Sequence, residues 1–428
     1  MQSENLISAA PSRAASIPFS EYDLDNGLHV ILARSTGVPL VTTNLWYHIG
    51  SKDEDPTRTG FAHLFEHMMF QGSRNVGKTE HFKYIQQAGG LLNATTSVDR
   101  TNYFQTLPSS DLALALWLES DRMLALNVTV ENFENQRDVV KEEWRQRYKN
   151  RPYGSVWETL MRHVFPTSGY NWITIGSMEH LDRSTIDEVR AFHSTYYKPN
   201  NCSLALSGSF DEAEARHLID RYFGGIPKGE DIVRPIQAIE DIAGSIHLTM
   251  EDTVRLAAVH IGWRSAPVFH HDEYVLDLLG HVLDTGRSSR LYRELVYRRQ
   301  IARETEAFNY SLEKSGAFVV SAKVQPNSTP TEVEAAIWTE IQKVKDDLVS
   351  DAELEKVKNR VEMSLVTGRS EQGRRADTLQ RAYVFKRDTA QVNRELEIYR
   401  SISADELRDA ARRYLVHERS VALYVLPK

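Results

Sequence analysis

The sequence predicts an α+β chain built from two homologous mixed α/β domains, each an antiparallel-rich sheet covered by helices. Three observations predict it. The 428 residues (48.9 kDa) exceed one ordinary hydrophobic core and suit two domains of common size. A helix-then-strand unit occurs twice at a fixed spacing. Strand-like runs such as GLHVILAR and LAAVHIGW accompany long amphipathic helical runs such as ELEKVKNRVEMSLV.

The repeated unit is TIDEVRAFHSTYY from Thr185 and SADELRDAARRYL from Ser403, 218 positions on. Asp187, Glu188, Arg190 and Tyr196 match Asp405, Glu406, Arg408 and Tyr414. Each copy opens with a capping box, Thr185 with Glu188 and Ser403 with Glu406, which satisfies the free amides of a helix start. Each helix then runs into an apolar strand-like segment, CSLALSG or SVALYVL. Two capped helices can look alike by chance, but chance does not also place the following strands at the same spacing. Between the copies lies GGIPKGEDIVRPIQAIEDIAG, a Gly-, Pro- and acid-rich linker composition. The expected division is a first domain over 18–225, a linker over 226–244 and a second domain over 245–428.

Composition narrows the function. Hydrophobic residues are 41% and charged residues 26%, a globular balance without the signature of disorder. A net charge of -8 argues against nucleic acid or an anionic membrane as the main partner. The single cysteine, Cys202, excludes an internal disulfide framework. No apolar run approaches the length of a membrane span. The opening MQSENLISAAPSRAASIPFSEY has no hydrophobic segment long enough for a secretory signal and reads as a flexible lead.

The chemistry concentrates in GFAHLFEHMMFQGS, residues 60–73. On a helical wheel with His63 at 0°, His67 falls at about 40° and Glu66 at about 300°. Leu64, Phe65, Met68 and Met69 occupy the opposite side and anchor the helix in a core. Histidines four apart on one face can share a zinc ion through neutral imidazoles. Glu66, one step before the second histidine, is offset to act on a zinc-bound water. The pattern H-x-x-E-H is a known zinc-peptidase signature. An ordinary amphipathic helix with a polar face of His, Glu and His is the alternative.

Two histidines leave such a site short of a ligand, and an acid on another helix would complete it. In ENFENQRDVVKEEWRQRY, Phe133, Val140 and Trp144 form an apolar stripe, with Glu143 at its edge and Glu142 roughly opposite. A carboxylate beside an apolar face costs free energy unless it is paired or bound to a cation. Arg147, four residues on, offers an ordinary helical ion pair as the competing explanation.

HLFEH followed by Glu143, 76 residues after His67, resembles the pitrilysin/insulinase family of zinc peptidases, the inverzincins. That family includes short bacterial members and the zinc-bearing subunit of the mitochondrial processing peptidase. The likeness extends to the duplicated halves, the VVKEE helix and FPTSGYNWITIGSMEHL. It implies one Zn2+ per chain held by His63, His67 and Glu143, with Glu66 as general base in peptide-bond hydrolysis. It also implies that Asn93, Ala94 and Thr95 form an exposed edge that pairs with the backbone of peptide substrates. The bare pattern of GLLNATTSVDRTNYF predicts a half-buried strand through residues 96–103.

Two positions depart from the family pattern. Gln136 stands where relatives commonly carry a second glutamate. Val296 and Arg303 stand where relatives that act alone place an Arg–Tyr pair that clamps substrate. The resemblance therefore implies a homologous partner subunit that supplies the clamp, giving a heterodimer. In the second half His281, Asp284 and Thr285 fall opposite His63, Glu66 and His67, and His281 reads as structural. An inactive structural or peptide-binding relative is the alternative function. The compartment stays open between the cytoplasm and periplasm of a bacterium.

Overall fold

A computed structural model describes residues 16–234 and 239–428. Among these residues eleven strands form two sheets: β1 (Ser20–Asp23), β2 (His29–Arg34), β3 (Leu40–Tyr47), β4 (Leu91–Thr96), β5 (Thr101–Pro108), β6 (Cys202–Gly208), β7 (Ile246–Asp252), β8 (Ala258–Ser265), β9 (Ala302–Ser311), β10 (Gly316–Val324) and β11 (Val421–Pro427). The first sheet runs β1-β2-β6-β3-β5-β4 and the second β7-β11-β8-β10-β9. Without β1 the two orders are the same, and each sheet carries one parallel pair, β2/β6 and β7/β11, among antiparallel ones. The duplication expected from the helix repeat is thus written in strand order. Central β6 is buried along its whole length, as expected of a continuous apolar run, whereas edge strand β7 alternates.

The helices follow the same repeat. The first half carries α1 (Phe61–Met68), α2 (Glu80–Gln87), α3 (Leu112–Leu124), α4 (Val130–Trp144), α5 (Val156–Val164), α6 (Met178–Arg183), α7 (Ile186–Tyr196) and α8 (Glu212–Phe223). The second carries α9 (His271–Leu283), α10 (Pro330–Asp346), α11 (Asp351–Ser370), α12 (Gln372–Lys386), α13 (Glu395–Ser401) and α14 (Ala404–Tyr414). Both capping boxes form. Thr185 Oγ1 accepts from the Glu188 amide at 3.3 Å and Ser403 Oγ from the Glu406 amide at 3.2 Å, and each glutamate accepts the cap amide at 2.7 Å.

The halves exchange helices. From the first half, α5 buries Val156, Leu160, Met161 and Val164 against Ala258, Val319, Val421 and Leu423 of the second sheet. Gly262 permits this approach, because a Cβ there would meet Val164 at 3.0 Å. In return α12 buries Ala376 and Leu379 in one cluster with Ile31, Ala33 and Ala205 of the first sheet. Fully buried Gln380 of α12 donates to the carbonyls of Asn44 (2.7 Å) and Ser203 (2.9 Å).

A buried polar cluster adds to the join. Glu313, between β9 and β10, contacts His48 Nε2 at 2.8 Å and Lys52 Nζ at 3.2 Å, and its amide donates to Asp99 at 3.0 Å. Burial pushes the Glu313 carboxyl up, but the bond from His48 and the charge of Lys52 outweigh this and hold it well below the usual range.

Two expectations fail. The strand predicted through 96–103 is interrupted: residues 97–100 form the turn between β4 and β5, where Ser97 Oγ accepts from the amides of Asp99 (3.2 Å) and Arg100 (3.1 Å). Val98 and Asp99 are both buried, against the alternation, because this turn packs into the join between the halves. The reading of a flexible lead also fails at Ile17 and β1. Residues 1–15 lie outside the described residues, but Ile17 is buried and its amide donates to Asn393 at 2.8 Å, while β1 pairs with β2. Among the described residues no helix is long and apolar enough to cross a membrane.

Candidate metal centre

Helix α1 starts at Gly60, whose left-handed backbone (φ 100°) brings no capping side chain. Glu54 fills the gap. Its carboxylate accepts the amides of Gly60 at 2.9 Å and Ala62 at 2.7 Å, satisfying free donors at the positive end of the helix. Burial nonetheless pushes the Glu54 pKa up to about 8. Phe61, Leu64, Phe65 and Met68 bury one face of α1 in the first core, fixing the other face with His63, Glu66 and His67. Helix α4 begins on Thr129, which accepts the Asn132 amide, and buries Phe133 and Val140. Asn132 Nδ2 donates to the carbonyl of Gln71 at 3.2 Å and so ties α4 to the end of α1.

This packing brings the expected ligands together. Among the described residues, His63, His67 and Glu143 are the one trio whose ligand atoms all lie within 4.8 Å of one another. Glu143 Oε1 is 3.7 Å from His63 Nε2, and Oε2 is 3.3 Å from His67 Nε2. A tetrahedral ion with bonds of about 2.0–2.1 Å separates its ligand atoms by about 3.4 Å. The trio therefore fits zinc in both spacing and donor chemistry.

The electrostatics favour the ligating forms. Burial, helped by the neighbouring His67, pushes the His63 pKa down to about 4, so its imidazole is neutral near pH 7. Burial pushes Glu143 up, but the His67 bond and the charge of Arg147 oppose it and Glu143 is held low. Glu142 is half exposed and pairs with Arg145, confirming that the two adjacent glutamates face apart. The competing ion pair also exists: Arg147, on a π-helical turn (Arg145–Lys149) continuing α4, is 2.7 Å from Glu143 Oε1.

Glu66 is not part of the trio but shares its cavity of about 560 Å³. Thr96 Oγ1 donates to Glu66 Oε2 at 2.6 Å. Burial raises the Glu66 pKa, against the lowering effect of that bond. Asn93, Ala94 and Thr95 line the same cavity from β4, the outer strand of the sheet. Asn93 and Thr95 are exposed and Ala94 is buried, and Arg100 donates to the Thr95 carbonyl at 2.9 Å. Gln136 lines the cavity, whereas Val296 and Arg303 do not. Val296 packs on the second core. His281 bonds the hydroxyl of Thr285 at 2.7 Å.

Glu54 and Thr96 escaped the sequence reading. Thr59 beside Gly60 is a capping residue type, so no signal pointed to Glu54; Thr59 instead bonds His180 and the Ser177 amide. Nothing local marks Thr96.

Comparison with known proteins agrees with this construction. Residues 29–175 match the model for insulinase, peptidase family M16, and residues 183–361 match the model for the peptidase M16 inactive domain. The trio and Glu66 all fall in the first match. A zinc protease, PqqE, of Helicobacter pylori is 29% identical over 341 residues, covering 78% of this chain and 76% of its own. The crystal structure of a protease from Helicobacter pylori superposes with a TM-score of 0.91 at 25% identity, covering 96% of this chain and 100% of that one. A peptidase M16 inactive domain from Pseudomonas fluorescens shares the fold, with a TM-score of 0.86 at 15% identity over 96% of this chain and 98% of its own. The two matched segments, together well over half of the chain, place it in the pitrilysin/insulinase family, peptidase family M16.

Proposed function

We propose that the chain is a zinc-dependent endopeptidase acting on peptides or unfolded segments. One observation carries this reading: three ligand atoms from α1 and α4 converge within 4.8 Å in the cavity that also holds Glu66 and the edge of β4. His63, His67 and Glu143 would hold the ion. Zinc bound there supplies Lewis acidity, which polarises a peptide carbonyl and lowers the pKa of water toward neutrality.

The chain's own residues do the rest. Glu66 takes a proton from the attacking water and returns it to the departing amide nitrogen, so that water and peptide become acid and amine. Thr96 fixes the carboxylate by engaging Oε2. Asn93, Ala94 and Thr95 receive the substrate as an added strand, because main-chain pairing tolerates varied side chains.

The cavity is lined by the first half alone, and Val296 and Arg303 do not reach it. We infer that a homologous partner subunit completes substrate binding. The inactive-domain match covers residues 183–361, outside the trio, which favours an active first half over a wholly inactive relative.

Zinc-loaded protein, alone and with a candidate homologous partner, should cleave an unfolded protein in a chelator-reversible manner. Glu66→Gln should retain zinc and lose cleavage. Retained cleavage in that variant would remove Glu66 from the role of base, and strong cleavage by the isolated chain would remove the need for a partner.

A further inference from the structure

The duplication supplies an internal comparison. In the first half α1 and α4 wall the ligand-bearing cavity. In the second, the helices at the same place in chain order, α9 and α11, wall a larger cleft of about 1090 Å³. Its charge is inverted. Where α4 contributes Glu143, α11 contributes Lys356 and Arg360 and no acid, and the turn after α9 adds Arg287.

These cations stand toward the cleft uncompensated. Neighbouring Arg290 and Arg374 are neutralised by Glu353 and Glu371, at 2.8 and 2.9 Å. Among the described residues Arg287, Lys356 and Arg360 have no ion pair; Lys356 meets only the hydroxyl of Ser288, at 3.3 Å. A guanidinium nitrogen of Arg360 lies across Gly286, 3.8 Å from where a Cβ would stand. The one acid of the lining, Asp277, is half-buried and engaged by the Tyr399 hydroxyl at 2.7 Å. Burial pushes its pKa up to about 7, so it opposes the cations weakly. On a chain of net charge -8 this is a local reversal of sign.

Size and lining narrow the ligand. Pockets that enclose drug-sized molecules are about 300–1,000 Å³, so this cleft accommodates several residues of a chain rather than a single ion. Met363 is 69% exposed and lines the same wall, offering apolar contact beside the charges. We propose that the α9–α11 cleft binds an extended peptide carrying carboxylate side chains, held by Arg287, Lys356 and Arg360. Guanidinium groups suit carboxylates because they can donate two parallel hydrogen bonds. The site needs neither zinc nor hydrolysis and goes beyond the proposed peptidase activity.

The test is direct binding to the whole 428-residue chain carrying Glu66→Gln, followed by fluorescence anisotropy of a short labelled glutamate-rich peptide. Lys356→Glu with Arg360→Glu, both at exposed positions, should weaken binding by about tenfold or more while circular dichroism stays unchanged. Binding should weaken with salt and persist in His63→Ala. It should be absent for the peptide with lysine in place of glutamate. Unchanged binding in the double reversal, loss in His63→Ala, or displacement by inorganic phosphate as effective as by unlabelled peptide would each overturn the proposal. Because no cleavage is read, failure here leaves the peptidase reading standing, and the reverse also holds.

Discussion

Arg147 lies 2.7 Å from Glu143 Oε1, on the same carboxylate whose other oxygen faces His67 at 3.3 Å. The ion pair and the ligand set are therefore one arrangement, not alternatives. Its arginine is two-thirds exposed, so the pair is screened and weak, on the order of 0.2–1 kcal/mol. Arg147 nevertheless competes for the carboxylate and repels an incoming dication. Arg147→Ala should tighten zinc binding by roughly two- to tenfold, measured by competition with a chromophoric chelator. Weaker binding would show that Arg147 positions Glu143 instead of competing for it.

The Thr96 hydroxyl fixes Glu66 and lowers its pKa against the upward push of burial. Thr96→Val removes the bond and keeps the shape. The Glu66 pKa should then rise further, moving the acid limb of the kcat/KM profile to higher pH. Disordering of the base should also cost about tenfold in kcat, a fraction of the 10²–10⁴ that general-base catalysis supplies. Zinc affinity should not change. A drop in rate with an unmoved pH profile would assign Thr96 a purely steric role.

Legibility in the sequence followed the range of the interactions. The helical spacing of His63, Glu66 and His67, the two capping boxes and the apolar stripe of α4 are local, and each stands where the pattern put it. Glu143 was legible because a carboxylate at an apolar edge demands a partner. Thr96 is 30 residues from Glu66 and Gln380 is 336 from Asn44, distances at which no periodicity carries information. The turn at 97–100 was misread because its burial comes from Glu313 and Tyr170, not from alternation within a strand.

Glu54 holds the start of α1 in a buried place, and its pKa of about 8 sets a sign that can be tested. A carboxyl near 4.3 unfolded and about 8 folded contributes its full stability below the lower value. That contribution is lost as pH rises toward the upper one, because the unfolded chain ionises first. Glu54→Gln cannot ionise. Its Tm relative to wild type should therefore improve as pH rises from about 4.3 to about 8. A constant difference across that window would mean that Glu54 ionises in the folded protein as it does in the unfolded one.

Helix exchange makes each half a part of the other's core, so the chain should unfold as one unit. Gln380 is the sharpest probe, since its amide serves two carbonyls of the first sheet from within α12. Gln380→Leu keeps approximate volume but leaves the Asn44 and Ser203 carbonyls buried without that donor. Each such loss costs about 1–3 kcal/mol. Urea unfolding followed by tryptophan fluorescence and by far-UV circular dichroism should give coincident transitions in both proteins, with the variant's midpoint lowered and its slope unchanged. Separate transitions would show that the second sheet, with α5 removed from its face, survives loss of the first. That outcome would contradict the shared core formed by Leu160 and Val164 on Val421 and by Leu379 on Ala205.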